Sequence, residues 1–235
     1  MGKAEITIGT CWDGRGFYTV DYVNRLFNSC ARNTTIPFDF VLYAGPGANE
    51  AGRMDGINPE IRVVQTGLPY WWSGFMFWKK DPPAIETDSV LYLDLDQVII
   101  GSLDDLILYP SDQAYMKGYP KHACPARRER ETCVSTALIR NGAGRKVWDE
   151  YERLGKPQWD PWNPPGNRLL PVGCQSIIDD PAQGMKYDLY PEEWICSYRL
   201  RVLQRGLPAD CRIVAFHGRP KPHEVADDFV KEHWR

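Results

Sequence analysis

A single α/β domain with a mostly parallel central sheet flanked by helices is the fold class this sequence predicts. Three observations carry it. Runs of strand length alternate with helical periodicity through the first half of the chain. The run Ser89 to Leu95 is apolar almost throughout rather than alternating, as in a strand buried on both faces. The 235 residues, 43% hydrophobic and 25% charged, have a globular composition. A chain of this length buries roughly 70–75% of its unfolded surface, so one core carries it without staples.

The elements follow in order. Ile6 and Ile8 open an alternating strand that breaks at Gly9, and the loop CWDGRG leads into helical spacing from Tyr18 to Leu26. Phe38 to Tyr43 is a second strand, ended by AGPG, and Ile61 to Val64 a third. The aromatic segment TGLPYWWSGFMFWKK is placed on a helix and its entry. Ser89 to Leu95 is the buried strand that delivers Asp96. In SLDDL, Ser102 is expected as N-cap and Asp105 as its capping-box partner. Val134 to Ile139 is a further strand, followed by a helix from about Ala143 to Leu154 and a Pro/Trp-rich loop containing Trp159 and Trp162. The last strand, Ile213 to Phe216, delivers His217 into the loop HGRPKP before a terminal helix from Ala226 to about Trp234.

Composition excludes several classes. No apolar run approaches the roughly 20 residues of a membrane span, and the N-terminus lacks a signal-peptide layout, so a cytoplasmic protein is expected. The seven cysteines (Cys11, Cys30, Cys124, Cys133, Cys174, Cys196, Cys211) form no C-x-x-C pair and read as free, mostly buried thiols. A zinc site would need clustered ligands, and the four histidines (His122, His217, His223, His233) are scattered. A net charge of −3 gives no global attraction to nucleic acid or to an acidic membrane. The basic stretch KHACPARRER, interrupted by Glu129, reads as a solvated loop before a polyanion site.

Asp94 and Asp96 stand two apart at the end of the buried strand, which turns both side chains to one face. Two carboxylates so close repel unless a cation lies between them, and Mg²⁺ or Mn²⁺ takes oxygen ligands of this kind. Carboxyl ends of strands are also where open α/β sheets bind ligands.

At this point the residues resemble a family. VLYLDLDQVIIGSLDDL is similar to the D-x-D segment of the family 8 glycosyltransferases, which include glycogenin and the bacterial lipopolysaccharide galactosyltransferases, and AFHGRPKPHEV resembles their C-terminal H-x-G-x-x-K-P-W motif. His217, Gly218, Lys221 and Pro222 match, with His223 in the Trp position. CVSTALIRNG resembles the family's F-N-S-G strand, with Ser135 for Asn and Ala137 for Gly. GCQSIIDD resembles D-Q-x-h-h-N, with Cys174 for Asp and Gln175 retained. Trp71 and Trp72 match the G-W-W-x-K segment of a small bacterial and phage subgroup, with Gly74 in place of its Lys.

The resemblance implies a GT-A fold spanning residues 1–235. Residues 1–100 would form the nucleotide-binding half, and residues 101–235 the acceptor-side half with the C-terminal metal and diphosphate loop. It implies a nucleotide-sugar donor, a UDP-sugar by default, and transfer with retention to a saccharide or other hydroxyl acceptor, a modified nucleobase being left open. Mn²⁺ (or Mg²⁺) would be held by Asp94, Asp96 and His217, with Lys221 and Gly218 at the diphosphate. Thr10 and Tyr18 would meet the base, and Lys79 the donor. Gln175 would lie beside the anomeric carbon, so that Gln175 and Asp96 are the catalytic candidates. The tryptophans Trp71, Trp72, Trp159 and Trp162 have indole faces suited to a sugar.

Three rivals are weighed. LYLDLDQVI also fits the haloacid-dehalogenase phosphohydrolases, with Asp94 as nucleophile and Asp179 and Asp180 at Mg²⁺. That motif normally follows the first strand, and HGRPKP has no role in it. A nucleotidyltransferase expects a Gly-rich basic loop that TCWDGRGF does not match. An inactive sugar-nucleotide-binding module is the third.

Overall fold

A computed structural model describes residues 3–50, 52–119, 131–158, 170 and 173–235. The basic stretch 121–130 and the tryptophans Trp159 and Trp162 lie outside the described residues.

A seven-stranded sheet forms the centre, in the order β3-β2-β1-β4-β7-β6-β8. Its strands are β1 (Ile6–Trp12), β2 (Phe38–Ala44), β3 (Ile61–Gln65), β4 (Ser89–Leu93), β6 (Gln113–Lys117), β7 (Thr132–Arg140) and β8 (Asp188–Leu189). β1 pairs in parallel with β2 and β4, β2 with β3, and β6 with β8. Only β7 runs against its neighbours β4 and β6. A second sheet places β10 (Ile213–Ala215) between β5 (Gln97–Ile99) and β9 (Ile195–Ser197).

The strand alternation sorts the core into two faces. Ile6, Ile8, Phe40, Leu42, Leu91 and Leu93 pack under α1 (Val20–Asn33), through Tyr22, Val23, Leu26 and Phe27. Val41, Tyr43, Val90 and Tyr92 point the other way, onto Trp72, Phe75, Phe77 and Trp78 and onto Trp148 and Tyr151 of α3 (Arg145–Arg153). Gly9 is where that second face comes closest to the backbone: a Cβ there would lie 2.2 Å from the Phe77 ring.

Several expectations need adjustment. α1 starts at Val20, after an extended Thr19. The aromatic segment is a 3₁₀ helix, Tyr70–Trp78, most of whose rings are buried. β4 ends at Leu93, so the acidic pair occupies the turn into β5. The SLDDL helix, α2, is one turn, Asp104–Ile107, and the capping box does not form. Asp104 instead accepts hydrogen bonds from the Thr34 and Thr35 hydroxyls, closing the end of α1, and Asp105 pairs with Arg212 at 3.0 Å. The terminal helix is Asp228–His233. β5, β6, β8 and β9 are additional to the expected strands.

Candidate active site

Strand order reverses at β1: β2 leaves on one side and β4 lies on the other. The crevice beyond the carboxyl ends of β1 and β4 is the position open α/β sheets use for ligands. A cleft of about 750 Å³ opens there, within the range of small-molecule sites. Its walls come from the β1 end (Trp12, Asp13), the following loop (Arg15, Phe17, Tyr18), the β4 turn (Asp94, Leu95, Asp96) and the loop after β10 (Gly218, Arg219, Lys221).

Asp94 is anchored by its amide, which donates to the Ser135 carbonyl at 2.8 Å, and its carboxylate accepts from the Tyr92 hydroxyl at 2.6 Å. Burial, then the charge of Asp96, pushes its carboxyl up to about 7. Asp96 accepts from the Tyr18 hydroxyl at 2.8 Å and from the Lys221 ammonium on the same oxygen. Lys221 is only 4% exposed and also donates to the Phe216 carbonyl at 3.0 Å. The Phe216 amide in turn donates to the Asp96 carbonyl at 2.9 Å, stitching the C-terminal segment to the acidic turn. Gly218 has φ +70, a left-handed conformation that favours glycine and bends the loop over the cleft.

Tyr18 is held by burial, by the Asp96 charge and by their hydrogen bond as a neutral phenol, well above its usual range. Phe17 carries the cations: Lys221 lies 5.4 Å and Arg219 5.7 Å from its ring centroid. Arg15 sits 3.5 Å from Asp13 and 5.5 Å from the Tyr70 ring. Sequence reading does not single out Arg15, Phe17 or Arg219. Loop arginines beside glycines in CWDGRG and HGRPKP are the available signal.

Most of the other expected residues lie off the lining. The His217 ring stacks on Tyr119 with centroids 3.9 Å apart, and its Nδ1 is 3.3 Å from the Ser197 hydroxyl. Burial lowers its pKa to about 4, so the imidazole is neutral. Thr10 is fully buried, and its hydroxyl has no hydrogen-bond partner among the described residues. Lys79 lies 5.1 Å from the Trp148 ring, on the α3 side. Gln175 is buried and donates to the Thr132 carbonyl. Asp179 accepts from the Thr132 hydroxyl, and Asp180 caps Ala182. Trp72 is core, whereas Trp71 is 41% exposed and lines the cleft.

The donor chemistry at the acidic turn fits a hard divalent cation: two carboxylates share one turn, and the charge of Asp96 disfavours that of Asp94. No group of three His, Cys, Asp or Glu side chains close enough to hold an ion is assembled among the described residues. No helix in the described residues is long and apolar enough to cross a membrane.

No family model and no curated protein matches the sequence. Solved structures do. An active-site mutant of LgtC superposes with a TM-score of 0.60 at 16% identity, over 96% of this chain and 93% of that one. The galactosyltransferase LgtC in complex with donor and acceptor sugar analogs gives 0.58 at 15%, over 92% and 88%. The glycosyltransferase GlyE of Streptococcus pneumoniae TIGR4 gives 0.58 at 13%, over 99% of this chain and 60% of that one. At such identities the likeness establishes architecture, and the architecture is that of the GT-A glycosyltransferases.

Proposed function

We propose that this chain is a metal-dependent glycosyltransferase that takes a sugar from a nucleoside diphosphate, a UDP-sugar by default, and passes it to a saccharide or other hydroxyl acceptor with retention. One observation carries the reading. The β4 turn and the loop after β10 meet in one cleft at the strand-order reversal, bringing Asp94 and Asp96 together with Gly218 and Lys221.

The departing diphosphate gains negative charge as the glycosidic bond breaks, and offsetting that charge is the main catalytic demand. Mn²⁺ (or Mg²⁺), held by Asp94 and Asp96, would supply Lewis acidity toward the leaving oxygens; His217, the expected third donor, is not gathered with them, and its part rests on the resemblance. Lys221 is the residue that meets the diphosphate, and Arg219 adds charge from the rim. At an effective dielectric near 20, a unit pair at about 4 Å is worth ~4 kcal/mol before desolvation, enough to change a rate by orders of magnitude. Phe17 and Tyr18 offer ring faces to the base, with Tyr18 fixed by its bond to Asp96. Gly218 leaves the backbone open to the phosphates. Thr10 toward the base, Lys79 toward the donor and Gln175 beside the anomeric carbon stand off the cleft lining, and these roles rest on the resemblance alone; a Gln175→Ala variant with full turnover would remove Gln175.

The test is a nucleotide screen by thermal shift with and without Mn²⁺, followed by donor hydrolysis with water as acceptor. Mn²⁺-enhanced binding of uridine or guanosine diphosphate and release of sugar are the expected results. Phosphate release from small phosphoesters with an aspartyl phosphate trapped at Asp94 would establish the phosphohydrolase instead. Binding without turnover across donors would leave a binding module.

A further inference from the structure

A second cavity, of about 290 Å³, lies between the end of β6 and the segment that follows β9. It is just under the lower end of the usual range for ligand sites, with room for about one sugar ring. Its floor includes Ser197, and Arg201 and Arg205 stand on its rim. The segment is unusual in its backbone. Tyr198–Val202 is a π-helical turn, a form that is rare and concentrated at functional sites, and its start is fixed by the Ser197 hydroxyl, which accepts from the Leu200 amide at 3.0 Å.

This turn and the helical turn that follows it, Leu203–Arg205, gather Arg199, Arg201 and Arg205 within seven positions of a chain whose net charge is −3. Their guanidinium groups make no ion pair and donate no hydrogen bond to any described residue. The one acidic side chain on the cavity wall, Glu192, is already matched by Lys117 at 2.7 Å. The electrostatic surplus at the cavity is therefore positive, and it is carried by the side chain whose fork of donors suits carboxylate and phosphate.

The cavity also borders the cleft already described. Ser197, in its floor, touches His217 through a 3.3 Å contact, and Gly218 lines the larger cleft. Arg199 lies between the two: its guanidinium is 3.1 Å from where a Cβ on Gly218 would sit. A molecule seated in the second cavity thus has its far end beside the loop that meets the donor.

We propose that this cavity is a subsite for an acceptor saccharide bearing an anionic group, phosphate or carboxylate, held by Arg201 and Arg205. The inference rests on the glycosyltransferase reading for the word acceptor, but the binding itself does not. A saccharide suits the site better than a nucleic acid. The cavity takes one ring rather than a strand, and the acidic chain as a whole repels a long polyanion.

The probes are methyl β-glucoside, its 6-phosphate and methyl β-glucuronide, titrated calorimetrically into the full chain at low salt. The expected result is that the two charged glycosides bind about tenfold or more tighter than the neutral one, an advantage lost in about 0.5 M NaCl. The Arg201→Gln/Arg205→Gln variant should lose that advantage, and Arg201→Lys/Arg205→Lys should recover part of it. Affinity for UDP with Mn²⁺ should be the same in all three proteins. If only the phosphate or only the glucuronide responds, the anionic group is identified. Equal binding of the neutral glycoside, indifference to the Gln substitutions, competitive displacement by UDP, or tighter binding of a single-stranded dodecanucleotide would overturn the proposal. A protein that binds the charged glycosides through these arginines but no nucleotide would overturn the glycosyltransferase reading and leave the site standing.

Discussion

Lys221 reaches Asp96 across 125 positions of sequence, and both side chains are largely withdrawn from water. Breaking such a pair from one side leaves a buried charge without a partner, which costs about 3–5 kcal/mol. Asp96→Asn should therefore lower the melting temperature sharply, and adding Lys221→Met should restore much of the loss; a double-mutant cycle from denaturant titrations measures the coupling. Lys221→Met alone should weaken nucleoside diphosphate binding about 10- to 100-fold, the worth of a charge-assisted hydrogen bond or two, read by calorimetry. Little of this local arrangement was legible. The motif HGRPKP pointed to Lys221, but not to its contact with Asp96. Tyr18 stood out as an aromatic near the base, whereas its bond to the acidic turn depends on how the Gly-rich loop folds back.

Among the elements, β4 could be read from its continuous apolar run, β2 from the apolar stretch Phe40 to Tyr43 and β1 from the alternation of Ile6 and Ile8, and all three are buried on both faces. β8 has two residues and β9 three, too short for any periodicity to register. The aromatic segment was expected as a helix, and it forms the tighter 3₁₀ helix, with four of its six rings packed on Tyr92 and Tyr151. Its contact with β1 makes a specific expectation. Gly9→Ala sets a methyl 2.2 Å from Phe77, an overpacking that should cost about 1–3 kcal/mol, and Phe77→Leu in the same chain should recover part of it in denaturant melts. The C-terminal helix is clamped to α1 in another way. Arg25 and Arg32 donate to the carbonyls of Trp234 and His233, and the Tyr22 hydroxyl meets His223. The Trp234 ring lies 4.4 Å from the Arg25 guanidinium. Trp234→Ala should destabilise by about 2 kcal/mol, less than for a fully buried tryptophan, with faster amide exchange over residues 228–233 as the local readout.

For the whole molecule, ligand linkage gives the clearest expectation. UDP with Mn²⁺ at about 100 times its Kd should add ~2.7 kcal/mol, which at roughly 2–4 °C per kcal/mol for a chain this size is a rise of about 5–10 °C. A chelator should cancel most of it, and scanning calorimetry reads both. The fold class was visible in sequence because strand and helix signals alternate; the reversed β7 and the small second sheet were not, since pairing direction leaves no mark on composition. That second sheet ties two distant stretches into one unit. β10 inserts between β5 and β9 and carries the segment that closes over the acidic turn. With β10 undocked, Asp94 and Asp96 would have neither Lys221 as counter-charge nor Gly218 and Arg219 beside them. Under the proposed function, loosening the three-stranded sheet should therefore abolish nucleotide binding before the seven-stranded sheet unfolds.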